Sequence, residues 1–337
     1  MMMFEELKDT SVLITGATGL IGSRLVLFLD RLNREENRGI RVYACCRSEE
    51  KFRSCFSGCD LNNIVPVYGD ICTLDIKNCA ADHIIHAAST TSSISFVKKP
   101  VETIKTAVQG TINLLDQCIG KKLKGFVYLS SLEVYGKFDD AEVRNVVETD
   151  YGLTDPLSIR SSYSEGKRLC ECMCCSYAAE YGIPVKIARL AQTFGDGVAY
   201  DDGRVFAQFA RSIIEHENII LKTRGETVRN YCHVSDAVTG IMAVLLSGET
   251  GEAYNIANKS TTVSIADMAK LFCQLYPDSG SRVIFDLAED AARLGYNPVV
   301  RLQLDSSKLE ALGWHPEKNL EDMIHDLIRS MKKKKNE

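Results

Sequence analysis

The sequence predicts an α/β fold, a doubly wound parallel sheet covered by helices on both faces and followed by a smaller C-terminal α/β domain. Two observations carry this. Short apolar runs alternate with helix-length stretches through the first 190 residues, the rhythm of βαβ units whose strands pair in parallel. The first of these runs leads directly into a glycine-rich turn and then into a helical pattern, which is how a nucleotide-binding crossover begins. The 337 residues are 45% hydrophobic and 25% charged, enough apolar chain for a core and no composition for disorder.

Ser11 to Ile14 is the first strand, and Leu20, Ile21, Leu25, Val26 and Leu29 continue it as a helix face. Ile40 to Cys46 is the second strand, and Ile64 to Tyr68 the third, closing in Gly69-Asp70. Ile84 to Ala88 is the fourth, Pro100 to Ile119 a helix, and Gly125 to Ser130 the fifth strand through Phe126, Val127, Tyr128 and Leu129. Tyr163 to Tyr181 is helical and Val185 to Leu190 is the sixth strand. Strands buried on both faces read as such continuous apolar runs, and their crossovers are expected to be right-handed.

After Arg189 the rhythm loosens. Gly195 to Gly203 is a loop, Val205 to Glu215 a helix, and Ser264 to Leu275 a helix with Ser264 as its N-cap. Ser306 to Leu312 and Leu320 to Met331 are terminal helices. The expected division gives residues 1–190 and about 228–260 to a Rossmann domain. Residues 191–227 and 261–331 then form the substrate-binding domain, with Val234 to Leu246 packing back on the first. Met1 to Phe4 are expected to fray, and Lys332 to Glu337 to form a disordered basic tail.

Composition narrows the function. Forty Lys and Arg against 45 Asp and Glu leave a net charge of −5, unsuited to general nucleic-acid binding, which needs clustered cations. No apolar run approaches the roughly 20 residues that span a bilayer, so no membrane partner is expected. Glu5, Glu6, Lys8 and Asp9 make the first ten residues unlike a signal peptide. Thirteen cysteines, an odd number without small-domain spacing, do not form a disulfide framework; a reducing, cytoplasmic setting is expected. Cys170, Cys172, Cys174 and Cys175 do not converge on one tetrahedral point along a helix, and no metal is expected.

The segment Thr15-Gly16-Ala17-Thr18-Gly19-Leu20-Ile21-Gly22 sits between strand and helix. Gly16 permits the tight turn, Gly19 lets the backbone approach a diphosphate, and Gly22 lets helix and sheet pack closely. Thr18, Leu20 and Ile21 complete the turn, whose helix N-terminus offers free N–H groups to phosphate. A nicotinamide dinucleotide, NAD(P), is the expected cofactor. An acidic residue at the end of the second strand ordinarily holds the ribose hydroxyls. Here that strand ends Ala44-Cys45-Cys46-Arg47-Ser48, with no carboxylate before Glu49. Arg47 either pairs with a 2′-phosphate, which leans the reading to NADP, or is simply solvated. Asp70 either accepts from the adenine amino group or caps a turn. His86 either lines the diphosphate pocket or is a buried, hydrogen-bonded histidine.

Tyr163 and Lys167, at i and i+4, share one helix face. An ammonium beside a phenol favours the phenolate and makes a proton acceptor for a hydroxyl losing hydride. Ser131, at the end of the fifth strand, is placed to bond the same oxygen. Together with Gly69-Asp70-Ile71, His86-Ala87-Ala88-Ser89, Ser130 to Gly136, Arg229-Asn230-Tyr231 and Leu312-Gly313-Trp314, these motifs resemble the extended short-chain dehydrogenase/reductases over nearly the whole chain. The likeness is to their nucleotide-sugar epimerase/dehydratase branch. The resemblance implies Tyr163 as base, Lys167 as its activator and cofactor-ribose ligand, and Ser131 as orienter. It further implies Ile71, Ala87 and Ala88 at the cofactor, Ser89 and Gln192 at the substrate, and Arg229 on the substrate diphosphate. It implies a homodimer formed through a four-helix contact, with Cys118 and Tyr177 on the helices concerned.

In that branch, oxidation at C4 of the sugar is shared and a further group decides the product. A 4,6-dehydratase carries an Asp-Glu pair where this chain has Leu132-Glu133. Glu133 is available as the base, but Leu132 cannot donate a proton. A decarboxylase needs no such acid, and the stretch Arg160 to Arg168, Ile187-Ala188-Arg189 and Asp202-Gly203-Arg204-Val205 are similar to UDP-glucuronate decarboxylases. Lyase chemistry with Glu133 as base is the leading expectation. A 4-epimerase is the alternative, and an NADP-dependent carbonyl reductase a further one. Ala107 and Gln192 stand where the family often has Asn.

Overall fold

A computed structural model describes residues 2–138, 142–288 and 299–336. Its first half contains β1 (Ser11–Thr15), α1 (Leu20–Glu36), β2 (Arg41–Cys46), α2 (Glu49–Cys55), β3 (Ile64–Tyr68) and β4 (His83–His86). There follow α3 (Ser93–Lys98), α4 (Pro100–Asp116), β5 (Gly125–Ser131), β6 (Arg144–Val146), α5 (Ser162–Tyr181), β7 (Val185–Leu190) and β8 (Gln192–Phe194). The remainder comprises α6 (Val205–Ile214), β9 (Ile219–Leu221), β10 (Val228–His233), α7 (Val234–Ser247), β11 (Ala253–Ile256), β12 (Asn258–Ser264) and α8 (Ile265–Leu275). Last come β13 (Val283–Phe285), β14 (Leu302–Leu304), α9 (Ser307–Glu310) and α10 (Leu320–Asn336).

Seven strands form the central sheet in the order β11-β7-β5-β4-β1-β2-β3, every pair parallel. β1 is buried along its whole length, which explains why it reads as an unbroken apolar run. One face packs against α1 and α7 through residues such as Leu25, Leu29, Ile241 and Val244. The other packs against α4 and α5 through Leu114, Leu115, Cys170 and Cys174. The winding direction reverses between β1 and β4, the switch point outside whose strand ends ligands bind in this fold class.

A second core gathers Phe206 and Phe209 of α6, Met268 and Phe272 of α8, and Met323 and Leu327 of α10. A small sheet of β12, β10 and β8 adjoins it, so β11 belongs to the large sheet while its neighbours β10 and β12 belong to the small one. Ser264 caps α8 as expected, its Oγ accepting the Asp267 N–H at 3.0 Å.

Both chain ends differ from expectation. Residues Met2–Leu7 form a 3-10 helix, with Phe4 edge-on to Phe28 at 5.2 Å; apolar contact on α1 holds a segment that was expected to fray. The basic tail is not disordered: α10 continues to Asn336. Lys334 Nζ donates to the Gly197 carbonyl at 2.9 Å and Lys335 pairs with Glu215 at 2.8 Å, so the lysines hold the helix against the α6 region. Met1 and Glu337 lie outside the described residues. Among the described residues no helix is long and apolar enough to cross a membrane, and no group of three or more potential ligands could hold a metal.

Candidate active site

A cleft of about 620 Å³ runs along the carboxyl ends of β1, β2, β4, β5 and β7. At one side lies the β1–α1 turn. Gly16 has φ +66°, and a Cβ there would sit 2.9 Å from the Ala88 backbone. A Cβ on Gly22 would lie 2.1 Å from the Gly16 carbonyl oxygen. α1 starts at Gly19 with no side-chain cap, leaving its first N–H groups for a ligand. Only glycine fits this cradle, and its open amides suit a dinucleotide diphosphate.

Thr15 locks the cradle to β4. Its Oγ1 accepts the Ala87 and Ala88 N–H groups, each at 3.1 Å, and therefore donates to His86 Nδ1 at 2.8 Å. The other ring nitrogen then donates to Thr111 Oγ1 at 3.2 Å, which donates on to the Ala107 carbonyl at 2.7 Å. Burial pushes the His86 pKa down to about 3, with Lys167 adding to the effect. His86 is thus a neutral brace between sheet and α4 and does not line the cleft.

Tyr163 and Lys167 enter from the first turns of α5. The Tyr163 ring stacks on Phe96 with centroids 4.3 Å apart and planes within 11°. Lys167 Nζ donates to the Leu129 carbonyl at 2.6 Å and lies 4.6 Å from the Tyr128 ring and 5.8 Å from that of Tyr163. Burial lowers the Lys167 pKa to about 8. Burial also raises that of Tyr163 to about 12, against the bond from Ser131, with Glu133 pushing further up and Arg204 pulling down. Ser131 ends β5, and its Oγ accepts the Glu133 N–H at 3.3 Å, starting the 3-10 turn Leu132–Tyr135. That turn places Leu132, 6% exposed, and the half-buried Glu133 side by side on the cleft wall.

The cleft brings together all the expected residues but one. Gly16, Thr18, Gly19, Leu20, Ile21 and Gly22 line it with Arg47, Asp70, Ile71, Ala87, Ala88 and Ser89, and so do Ser131, Glu133, Tyr163, Lys167 and Gln192. Asp70 accepts the Cys72 N–H at 2.9 Å, the turn role, while also facing the cleft. Arg229 does not line it; it is buried on β10 opposite Val263, and its Nε has no hydrogen-bond partner among the described residues. Ala107 is also absent from the lining, packing 3.6 Å from where a Cβ on Gly166 would lie. Cys118 is in the core, 1% exposed, rather than on an outer helix face. Tyr177 bridges α5 to α4 through Asp116 at 2.6 Å.

Phe96, Lys51 and Arg204 are among the lining residues that the site reading did not include. Phe96 lies in a short helix within a Ser/Thr-rich stretch, where nothing local marks it. Lys51 lies one turn into α2. Arg204 was visible only as part of a motif. Its guanidinium is held by Asp202, Nε to Oδ1 at 3.0 Å and Nη2 to Oδ2 at 2.6 Å, which presents a fixed cation to the cleft. Burial works against ionisation of Asp202, and Arg204 outweighs it, so its pKa falls below the ordinary value.

Known proteins are similar to this chain in sequence and in fold. The sequence pattern of the NAD dependent epimerase/dehydratase family matches residues 12–257. UDP-glucuronic acid decarboxylase 6 of Arabidopsis thaliana is 31% identical over 325 residues, 94% of this chain and 87% of its own. A UDP-glucuronic acid 4-epimerase from Bacillus cereus, solved with UDP-glucuronic acid and NAD, superposes with a TM-score of 0.79 at 22% identity, over 96% of this chain and 99% of its own. A dTDP-glucose 4,6-dehydratase from Streptomyces venezuelae, solved with NAD, gives 0.78 at 23% identity, over 97% and 98%. The two superpositions show the shared fold. The sequence match takes in every element that builds the cleft, and the chain belongs to the NAD-dependent epimerase/dehydratase family and is an enzyme of nucleotide-sugar chemistry.

Proposed function

We propose that this enzyme transiently oxidises C4 of a nucleotide-diphosphate sugar and then acts as a lyase, with decarboxylation of a UDP-uronic acid as the leading reaction. One observation carries the choice: Glu133 is the carboxylate beside Ser131 on the cleft wall, and its neighbour there, Leu132, is apolar and has no proton to donate. Dehydration needs an acid to protonate the departing hydroxyl. Decarboxylation does not, and the curated relatives of about 30% identity are UDP-glucuronic acid decarboxylases.

The turn from Gly16 to Gly22 would hold the cofactor diphosphate, Asp70, Ile71 and Arg47 the adenosine, and Lys167 the nicotinamide ribose. Arg47 leans the choice of dinucleotide to NADP. When bound, the nicotinamide supplies a reversible hydride acceptor for the C4 carbinol. Tyr163 takes the C4 hydroxyl proton, Lys167 favours the phenolate, and Ser131 holds the oxygen. With C4 a ketone, the C6 carboxylate is β to it. The C5–C6 bond breaks, carbon dioxide leaves, and the electron pair moves onto the C4 oxygen as an enolate beside Tyr163 and Ser131. C5 then takes a proton from water by way of Glu133, and C4 would recover its hydride as Tyr163 returns the proton to the C4 oxygen. Arg204 offers the cleft a fixed positive charge for an anionic sugar.

The test is mass spectrometry and proton NMR of products from UDP-glucuronate and from a panel of UDP-, dTDP-, GDP- and CDP-sugars. Loss of carbon dioxide is expected. Unchanged mass with inverted C4 stereochemistry would establish the second reading, 4-epimerisation, which the absence of an acid at Leu132 equally permits. Tyr163→Phe should lower kcat by at least about 100-fold with substrate binding retained. Reduction of a simple carbonyl without turnover of any sugar nucleotide would sink both readings. We further propose a homodimer in a reducing cytoplasm, joined through the outer faces of α4 and α5, where Val101, Ile104 and Leu169 stand exposed; sedimentation of the protein at micromolar concentration checks it.

A further inference from the structure

The basic end of α10 is tied to the loop that carries the fixed cation of the cleft. Residues 195–203 join β8 to Arg204, which immediately precedes α6 and lines the cleft. The loop leaves β8 at Gly195, with φ +141°, and turns again at Gly197, with φ +96°, conformations that favour glycine. Val198 anchors it, 1% exposed, in the core that Met331 of α10 shares.

Three other elements hold this loop. Arg24 of α1 meets Asp196 at 2.9 Å, and a Cβ on Gly197 would stand 2.3 Å from the Arg24 Nη2. Ser330 of α10 accepts the Gly197 N–H at 3.0 Å. One turn further along α10, Lys334 donates to the Gly197 carbonyl at 2.9 Å and to the Val198 carbonyl at 3.3 Å. Arg211 of α6 donates to the Tyr200 and Asp202 carbonyls at 2.6 and 2.7 Å. Both backbone polar groups of Gly197 are thus met by α10. The loop in turn aims Arg204, because Asp202 grips the guanidinium with two bonds, Nε to Oδ1 and Nη2 to Oδ2. A displaced loop therefore carries Asp202 with it and turns the cation away from its line.

We propose that Ser330 and Lys334 are positioning residues for Arg204: the end of α10 fixes residues 195–203 and thereby sets the affinity for the anionic sugar. The proposal rests on the reading of Arg204 as the cation that meets a uronate, and carries that reading to a helix none of whose residues lines the cleft. A planar guanidinium binds a carboxylate through paired donors of fixed direction, so its contribution depends on orientation more than on charge alone.

Amide hydrogen exchange and calorimetric binding, both on the full chain, test this together. Ser330→Ala and Lys334→Met should each speed exchange across residues 195–203. Lys334→Met should weaken UDP-glucuronate by about two- to tenfold and leave UDP-glucose unchanged, and Lys334→Arg should restore the parent affinity. In an Arg204→Gln background Lys334→Met should weaken UDP-glucuronate no further, because residues acting through one contact are not additive. Unchanged exchange in both variants, or a Lys334→Met loss that persists in full beside Arg204→Gln, overturns the proposal. If the parent binds UDP-glucose as tightly as UDP-glucuronate, the uronate reading fails, and faster exchange in the variants still upholds the brace. If the parent favours UDP-glucuronate while exchange stays unchanged, the brace fails and the uronate reading stands.

Discussion

Arg189 to Met is the substitution whose consequences the structure specifies most fully. Arg189 on β7 is 6% exposed and meets Glu171 of α5, 11% exposed, at 2.7 Å. Its Nε also reaches Glu171 at 3.0 Å, and its Nη1 donates to the Tyr135 hydroxyl at 3.0 Å and the Glu148 carbonyl at 2.8 Å. Burial opposes the guanidinium charge, and Glu171 outweighs it, raising the pKa above the ordinary arginine value. Removing Arg189 leaves Glu171 charged and buried, which costs about 3–5 kcal/mol. For a chain of 337 residues that is a fall of about 4–7 °C in Tm. Arg189→Met/Glu171→Leu should recover most of it, because a buried pair is worth little against apolar packing of similar volume. Activity should separate from stability. Tyr135 closes the 3-10 turn that carries Glu133, so both variants release that turn from β7 and lower kcat. Thermal denaturation by circular dichroism reads the first effect and product formation the second. A double variant no more stable than the single one, or a single variant within about 1 kcal/mol of the parent, refutes the reasoning.

Two further outcomes follow from the same geometry. Lys167 has its pKa lowered from 10.5 to about 8 by burial, so its ammonium is lost as pH rises through 8, and turnover should fall on the alkaline side there. The unfolded chain binds the extra proton between those two values, so stability should rise with pH across that window; urea unfolding at pH 8 and pH 10 checks the sign. Gly22→Ala places a methyl 2.1 Å from the Gly16 carbonyl oxygen, which no side-chain motion can relieve, and calorimetry should show dinucleotide affinity down by at least about tenfold.

The parts of the fold legible in the sequence are those whose partners are near in the chain or need no partner to be recognised. β1, β2, β4, β5 and β7 are buried on both faces and so announce themselves as apolar runs. The phosphate turn and the Tyr163–Lys167 pair are local, fixed by spacings within one loop and one helix turn. β6 and β14 are different: three residues each, they exist because Arg144 meets Leu302 in parallel register across the chain, and neither segment signals a strand alone. β8, β10 and β12 depend on one another in the same way. α2 carries a readable start signal, Ser48 followed by Glu49-Glu50, and Ser48 Oγ accepts the Lys51 N–H at 3.2 Å. Phe96 had no such signal and Arg204 only its motif, since their place in the cleft with Tyr163 comes from tertiary packing.

That packing has a chemical consequence. Tyr163 and Lys167 are both nearly enclosed, and burial drives each toward its neutral form, the phenol up to about 12 and the ammonium down to about 8. Left to itself the pair is thus poised against the phenolate it needs. Glu133 adds to the penalty, and Phe96 covers one face of the ring without offering any charge. Ser131 and Arg204 work the other way, but they do not bring the phenol into the neutral range. The base should therefore be silent in the protein alone and become active only when a further positive charge enters the cleft beside it. Spectroscopic titration of phenolate distinguishes this from a permanently activated tyrosine. Parent minus Tyr163→Phe should show no phenolate at neutral pH without dinucleotide, and a signal moved to lower pH with the oxidised dinucleotide bound. A Tyr163 that ionises near neutral pH in both conditions would mean that Lys167 alone overcomes burial, and that the enclosure of the pair serves to exclude water rather than to gate the proton transfer.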